Sequence, residues 1–171
     1  LNFAVMRHCL VPAIAAIALA GCGSDKEGTI ATGEGDVAYR MSGDEDANNI
    51  QLKGPDGEAT VDTGKDLAPD LPAGLAVYPG AKVTNVSNVG LGEQGSGSLV
   101  AMDTADGAQK VAEWYKAQGE KSGYKIAAQL QTGKLHMVSG KTDDGREFSV
   151  TASDREGGTS VQLIAGSGLG S

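Results

Sequence analysis

The sequence predicts an α+β fold, an antiparallel sheet packed against one helix and preceded by a small β-meander. Three observations lead there. Short runs in which apolar and polar residues alternate recur from residue 36 to residue 165, the period of two that suits half-buried strands. A single stretch, residues 106–121, carries the 3.6-residue period of an amphipathic helix instead. The connections between consecutive runs are short and rich in Gly, Pro and Asp, which makes neighbouring strands antiparallel and leaves the helix on one face. The chain has 26 glycines in 171 residues and only 4% aromatics, so short strands with generous loops over a modest core are expected.

Taken in order, residues 22–35 are Gly, Ser, Thr and charge without apolar periodicity and read as a flexible tether, reaching roughly 20 Å as a random coil. Residues 36–64 form the meander. Val37, Tyr39 and Met41 alternate with Ala38, Arg40 and Ser42, Ile50 and Leu52 with Gln51 and Lys53, and Ala59 and Val61 with Thr60 and Asp62. Gly54-Pro55-Asp56-Gly57 supplies a turn, because Pro presets one backbone angle and Gly accepts the left-handed one. Residues 65–76 contain Pro69 and Pro72, which block helix and central strand alike, so they read as a linker laid along the main domain, residues 77–166.

The main domain opens with two strands, 82–89 and 98–103. In the helix, Asp106 with Gln109 three residues on is a candidate capping box, and Ala108, Val111, Ala112, Tyr115 and Gly119 form the stripe expected to be buried, with Trp114 at its edge and Gly123 as the stop. Four more strands follow, with Ile126, Leu130, Phe148 and Val150 expected to face the helix and His136 expected to face solvent opposite Leu135 and Met137. Residues 167–171 read as a flexible tail.

Several patterns resemble sites and fail on their context. Gly90-Leu91-Gly92-Glu93-Gln94-Gly95 has the spacing of a dinucleotide-binding loop, but that chemistry needs a helix to follow, and residues 98–102 read as a strand. Gly140-Lys141-Thr142 lacks the earlier glycine of a phosphate-binding loop, since Leu135 stands there. Asp44-Glu45-Asp46-Ala47-Asn48 begins like a calcium loop but puts Asn49 where Gly and Pro55 where Glu belong, so a solvated acidic turn is the expectation and a weak cation site the alternative. His136 beside Ser139 is the one arrangement from which an accessory periplasmic hydrolase could be built, although no orienting acid is evident. No catalytic residue, metal ligand or cofactor is assigned, and Trp114 is the candidate for a partner contact.

The N-terminal residues give the clearest chemistry. Arg7 supplies positive charge, and Cys9 to Ala20 is an apolar run of about 12 residues, short of the roughly 20 that span a bilayer as a helix. Leu19-Ala20-Gly21-Cys22 closes it with small residues before a cysteine. This stretch resembles the lipobox of bacterial lipoproteins. The resemblance implies that residues 1–21 are a signal peptide cut between Gly21 and Cys22, and that Cys22 is acylated and anchors the mature chain in a membrane. It also implies outer-membrane residence facing the periplasm rather than the inner membrane, because Gly23 rather than Asp follows the cysteine. Translation is expected to begin at Met6.

Beyond the anchor, the Val77-Tyr78-Pro79-Gly80-Ala81 opening and the strand, helix and strand order after it resemble small uncharacterised envelope lipoproteins, a likeness that implies a fold and transfers no site. Removing residues 1–21 takes away Arg7 and no acid, so the formal net charge of −8 becomes −9. An acidic body disfavours nucleic acid as a partner. Cys9 leaves with the signal and Cys22 is committed to lipid, so neither a disulfide nor a thiolate metal site is expected. The expectation is a non-catalytic binding or structural module held at the cell envelope, with an envelope protein of unknown identity as partner.

Overall fold

The computed structural model describes residues 25–168, apart from residues 34, 45 and 56. The signal segment, Gly21 and Cys22 lie outside the described residues, as do residues 169–171 of the expected tail.

Among the described residues there are ten strands and one α-helix, and all ten strands belong to one antiparallel sheet. In chain order they are β1 (Lys26–Thr32), β2 (Gly35–Gly43), β3 (Ala47–Gly54), β4 (Gly57–Gly64), β5 (Lys82–Gly90), β6 (Ser96–Thr104), β7 (Lys125–Thr132), β8 (Leu135–Lys141), β9 (Arg146–Arg155) and β10 (Gly158–Ser167), with the single α-helix α1 (Ala108–Lys121) between β6 and β7. Across the sheet the order is β1-β2-β3-β4-β5-β6-β10-β9-β8-β7. The chain therefore runs as hairpins from β1 to β6, crosses through α1 to the far edge, and returns hairpin by hairpin until β10 closes against β6.

This corrects the expected fold class. The meander does not precede the sheet but continues it, because β4 pairs with β5 from Thr60↔Gly90 to Gly64↔Val86. The architecture is one mainly β layer, 60% strand and 12% helix among the described residues. The tether is corrected too: its residues Lys26–Thr32 form β1, paired with β2 along their whole length. An edge strand exposed on both faces needs no alternation of apolar residues, so the sequence carried no signal for it.

The core lies on one face of β5 to β10. Directly paired residues of antiparallel strands share a face, so the register gives three rows under the helix. One is His136, Ala152, Val161, Met102 and Val83; the next Val138, Val150, Leu163, Val100 and Val86; the third Gly140, Phe148, Ala165, Ser98 and Asn88. Helix α1 lays Ala108, Val111, Ala112, Tyr115 and Gly119 onto β7 to β10. The proline-containing stretch 65–81 covers the β5 and β6 side, where Leu67, Leu71, Leu75, Val77 and Tyr78 join the core. Asn88 of β5 pins that strap: its Oδ1 accepts the Asp70 amide at 3.1 Å, and its Nδ2 donates to the Ala68 carbonyl at 2.9 Å. Among the described residues, every buried hydrophobic one lies between Leu75 and Ala165.

Two inward assignments are corrected. The register slips between Ile126 and Ala128 on β7, and this bulge turns the rest of the strand over. Ile126 stays with the core, whereas Leu130 pairs with Met137 on the opposite face and is 46% exposed. On β8 the phase is the reverse of that expected: His136, Val138 and Gly140 are buried, and Leu135 and Met137 are not.

Candidate functional site

The polar residues that sequence reading singled out fall into separate places. The helix begins at Ala108 with Gly107 as N-cap and no side-chain cap from its own strand of sequence, so the capping box at Asp106 is corrected. Gln109 instead bonds Glu113 one turn on. The first amide is held from β9: Asp154 Oδ1 accepts the Ala108 N–H at 2.7 Å and the Thr159 hydroxyl at 2.8 Å. These bonds, the Ala108 amide foremost, hold the Asp154 carboxyl below the ordinary aspartate range, with smaller attraction from His136 and Lys134. Asp106 is occupied otherwise, accepting from Lys110 Nζ at 2.9 Å and Tyr78 Oη at 2.8 Å, and these two partners, Lys110 foremost, lower its pKa.

His136 thus has an acid near it, but not the serine. His136 pairs with Ala152 on the helix face, and Ser139 pairs with Ala128 and Ser149 on the other. A base and a nucleophile on opposite faces of one strand cannot share a proton. His136 is 7% exposed, which corrects the expectation of a solvent-facing ring.

The other motifs resolve into turns. After Gly90 a 3-10 turn, Gly92–Gln94, leads into β6 and not into a helix, so no helix N-terminus meets the glycine loop. Thr142 closes the β8 to β9 connection by accepting the Arg146 amide at 3.0 Å and donating to the Asp144 carboxylate. Asp44 Oδ1 accepts the amides of Asp46 and Ala47 at 2.9 and 3.0 Å, which makes the acidic stretch a hairpin turn and lowers the Asp44 pKa. Among the described residues no group of three or more His, Cys, Asp or Glu is placed to hold a metal ion.

Trp114 sits half-buried between two tyrosines, edge-on to Tyr78 at 5.3 Å and to Tyr115 at 4.8 Å. Tyr115 is fully buried, and its hydroxyl donates to the Ala76 carbonyl at 3.0 Å, tying helix to strap. With Val111, Tyr115, Val150, Val161 and Leu163 at 0% exposure and Val138 at 1%, the space between helix and sheet is filled by side chains.

The opposite face of the sheet is the larger feature, and sequence reading missed it. Among the described residues the exposed large hydrophobics are Ile30, Met41, Leu52, Leu130 and Ile164. The registers place all of them on the face away from the helix: Ile30↔Val37, Met41↔Ile50 and Leu52↔Ala59 in the first four strands, Leu130↔Met137 and Ile164↔Leu99 beyond. In β1 to β4 the same face carries Val37, Tyr39, Ile50, Ala59 and Val61, none of them buried.

A family profile described as START domain-like matches residues 83–158, from β5 to the first residue of β10. The match takes in α1 and β6 to β9, less than half of the chain, and β1 to β4 and nearly all of β10 lie outside it. No curated protein and no solved structure matches.

Proposed function

We propose that this chain is a lipid-anchored bacterial cell-envelope protein whose folded body acts by binding and not by catalysis. The observation that carries the reading is the unpartnered apolar face of β1 to β4, which starts four residues after the lipobox cysteine, at Lys26. A sheet face with Ile30, Met41 and Leu52 exposed needs a cover. Cys22 supplies the anchor through its acyl chains, and Gly21-Cys22 is the cut. The separation of His136 from Ser139 counts against the hydrolase alternative. The partial likeness to START domain-like proteins, which typically bind ligands, supports a binding role. Trp114, at the rim of the helix, is a second contact candidate toward an envelope protein.

The deciding experiment is mass spectrometry of the mature protein purified from membranes. A diacylglyceryl adduct on Cys22 and an N-terminus at that residue are expected, and Cys22→Ser should abolish both. An unmodified Cys22, or a cut elsewhere, would overturn the anchor.

A further inference from the structure

The two faces of β1 to β4 differ in charge as sharply as in apolarity. Pairing puts Glu27 with Arg40, Asp36 with Ala31, Glu58 with Lys53 and Asp62 with Asn49, all on the helix side. The opposite face of these strands has Lys26, Gly28, Ile30, Val37, Tyr39, Met41, Ile50, Leu52, Ala59 and Val61 among its positions, and no acid at any strand position. The Tyr39 ring lies over Gly28, where a Cβ would come within 2.7 Å of its hydroxyl, so even the glycine gap is roofed by an aromatic ring. The same face of β8 to β10 is more mixed, with Ser139, Ser149, Thr151, Ser160 and Gln162 interspersed among Leu135, Met137 and Ile164.

We propose that the open face of β1 to β4 rests on the surface of the lipid bilayer that holds Cys22. The inference depends on the anchor reading for its geometry. Lys26 is the fourth residue after Cys22, and at 3.3–3.6 Å per residue those four steps span at most about 14 Å. The edge of the sheet is therefore confined within one headgroup layer or so of the lipid, at an effective concentration that no free partner matches. Which face then turns toward lipid is set by charge. A processed body with a formal net charge of −9 is repelled by an anionic leaflet. Only the face from which Glu27, Asp36, Glu58 and Asp62 are excluded can approach it closely, and that face adds Lys26 for a phosphate, Tyr39 for the headgroup level, and Ile30, Met41 and Leu52 for the acyl boundary. The sheet acts as an interfacial amphipathic surface, with the helix-covered domain held away from the membrane.

The test uses the acylated full chain in vesicles of phosphatidylethanolamine and phosphatidylglycerol. After processing, the only native cysteine is Cys22, blocked by its thioether. Leu52→Cys and its neighbour Gln51→Cys, which face opposite ways, are each labelled with a polarity-sensitive fluorophore, and Met41→Cys with Arg40→Cys repeats the pair on β2. The labels at residues 52 and 41 should shift to the blue and lose emission when the vesicles contain brominated acyl chains. The labels at 51 and 40 should do neither. The proposal fails if all four labels stay in water, if both faces are quenched alike, or if the 52 label is shielded without lipid in a sample that sediments as a dimer, the result for a second copy on this face. An acylated Cys22 with a wet label at 52 defeats the face and leaves the anchor standing. An unmodified Cys22 defeats the anchor. The labels, read in a Cys9→Ser, Cys22→Ser background with added vesicles, then sustain the lipid contact of this face if only those at 52 and 41 become dry and overturn it otherwise.

Discussion

Asp154 of β9 and Ala108 of α1, 46 residues apart, share the bond that starts the helix: the carboxylate accepts the Ala108 amide at 2.7 Å. The same oxygen takes the Thr159 hydroxyl, so one side chain joins the helix to two strands. Because these bonds favour the ionised form, the folded-state pKa lies below the ordinary value. The stabilisation is then present above the unfolded pKa, about 3.9, and is lost as pH falls through the lower folded value. Asp154→Asn should melt below wild type at neutral pH, and the gap should close under acid. A gap that stays constant from neutral pH to pH ~3, well under that ordinary aspartate value, would show that the charge contributes nothing.

Tyr115 and Trp114 are neighbours with unequal burial. Removing the Tyr115 ring should cost about 3–5 kcal/mol, a large share of the roughly 5–15 kcal/mol that holds a domain together. Tyr115→Phe keeps the ring and loses the hydroxyl's bond to Ala76, about 0.5–1.5 kcal/mol, together with its weaker contact to the Met102 sulfur. Trp114→Ala, at a half-exposed site, should cost less than Tyr115→Ala. Urea melts of the three variants should fall in that order, and equal midpoints for Tyr115→Ala and wild type would contradict the burial.

Gly119 and Gly140 crowd the same edge of Phe148. A Cβ at either would stand 2.7 Å from its Cε1. In an exposed helix Gly→Ala gains about 1 kcal/mol, whereas overpacking a core costs about 1–3 kcal/mol. Gly119→Ala should therefore destabilise, by up to about 2 kcal/mol. Phe148→Leu, harmful alone, should cost less in the Gly119→Ala background, and a double-mutant cycle without coupling would exclude the contact.

The strap belongs to the core's half of the sheet. A fragment of residues 66–168 retains every buried hydrophobic residue and both strap bonds of Asn88, and it should melt cooperatively. Starting at Leu71 removes Ala68 and Asp70, the backbone partners of Asn88, and should lower the midpoint relative to the longer fragment. Two equal midpoints would mean that Asn88 does not hold the strap.

Membrane fractionation tests the expected address. With Gly23 after the cysteine, the acylated protein should sediment with the outer membrane, and changing Gly23 to Asp should move it to the inner one. Wild type found with the inner membrane would overturn the address without touching acylation.

Local chemistry was legible in the sequence. The α1 stripe follows from residues three and four apart, since helical geometry alone stacks them, and the stop at Gly123 follows from its φ of +85°, with Tyr124 and Gly123 donating back to Gly119 and Glu120. The lipobox reading rests on the linear sequence alone. What depended on distant strands was not legible. The capping acid came from β9, because a folded sheet can bring any carboxylate to a helix end and Asp106 was already committed to Tyr78 and Lys110. The phase of β8 was decided by which face the helix covered, and period two is equally satisfied by either. The bulge at residues 126–128 turned Leu130 outward without leaving any mark in composition. The extension of one sheet into β1 to β4 was a matter of a single pairing, β4 with β5, and hydrogen bonds between backbones have no sequence signature. That pairing is also what leaves an apolar face without a second layer, so the surface that gives this protein its proposed role became visible only in the tertiary structure.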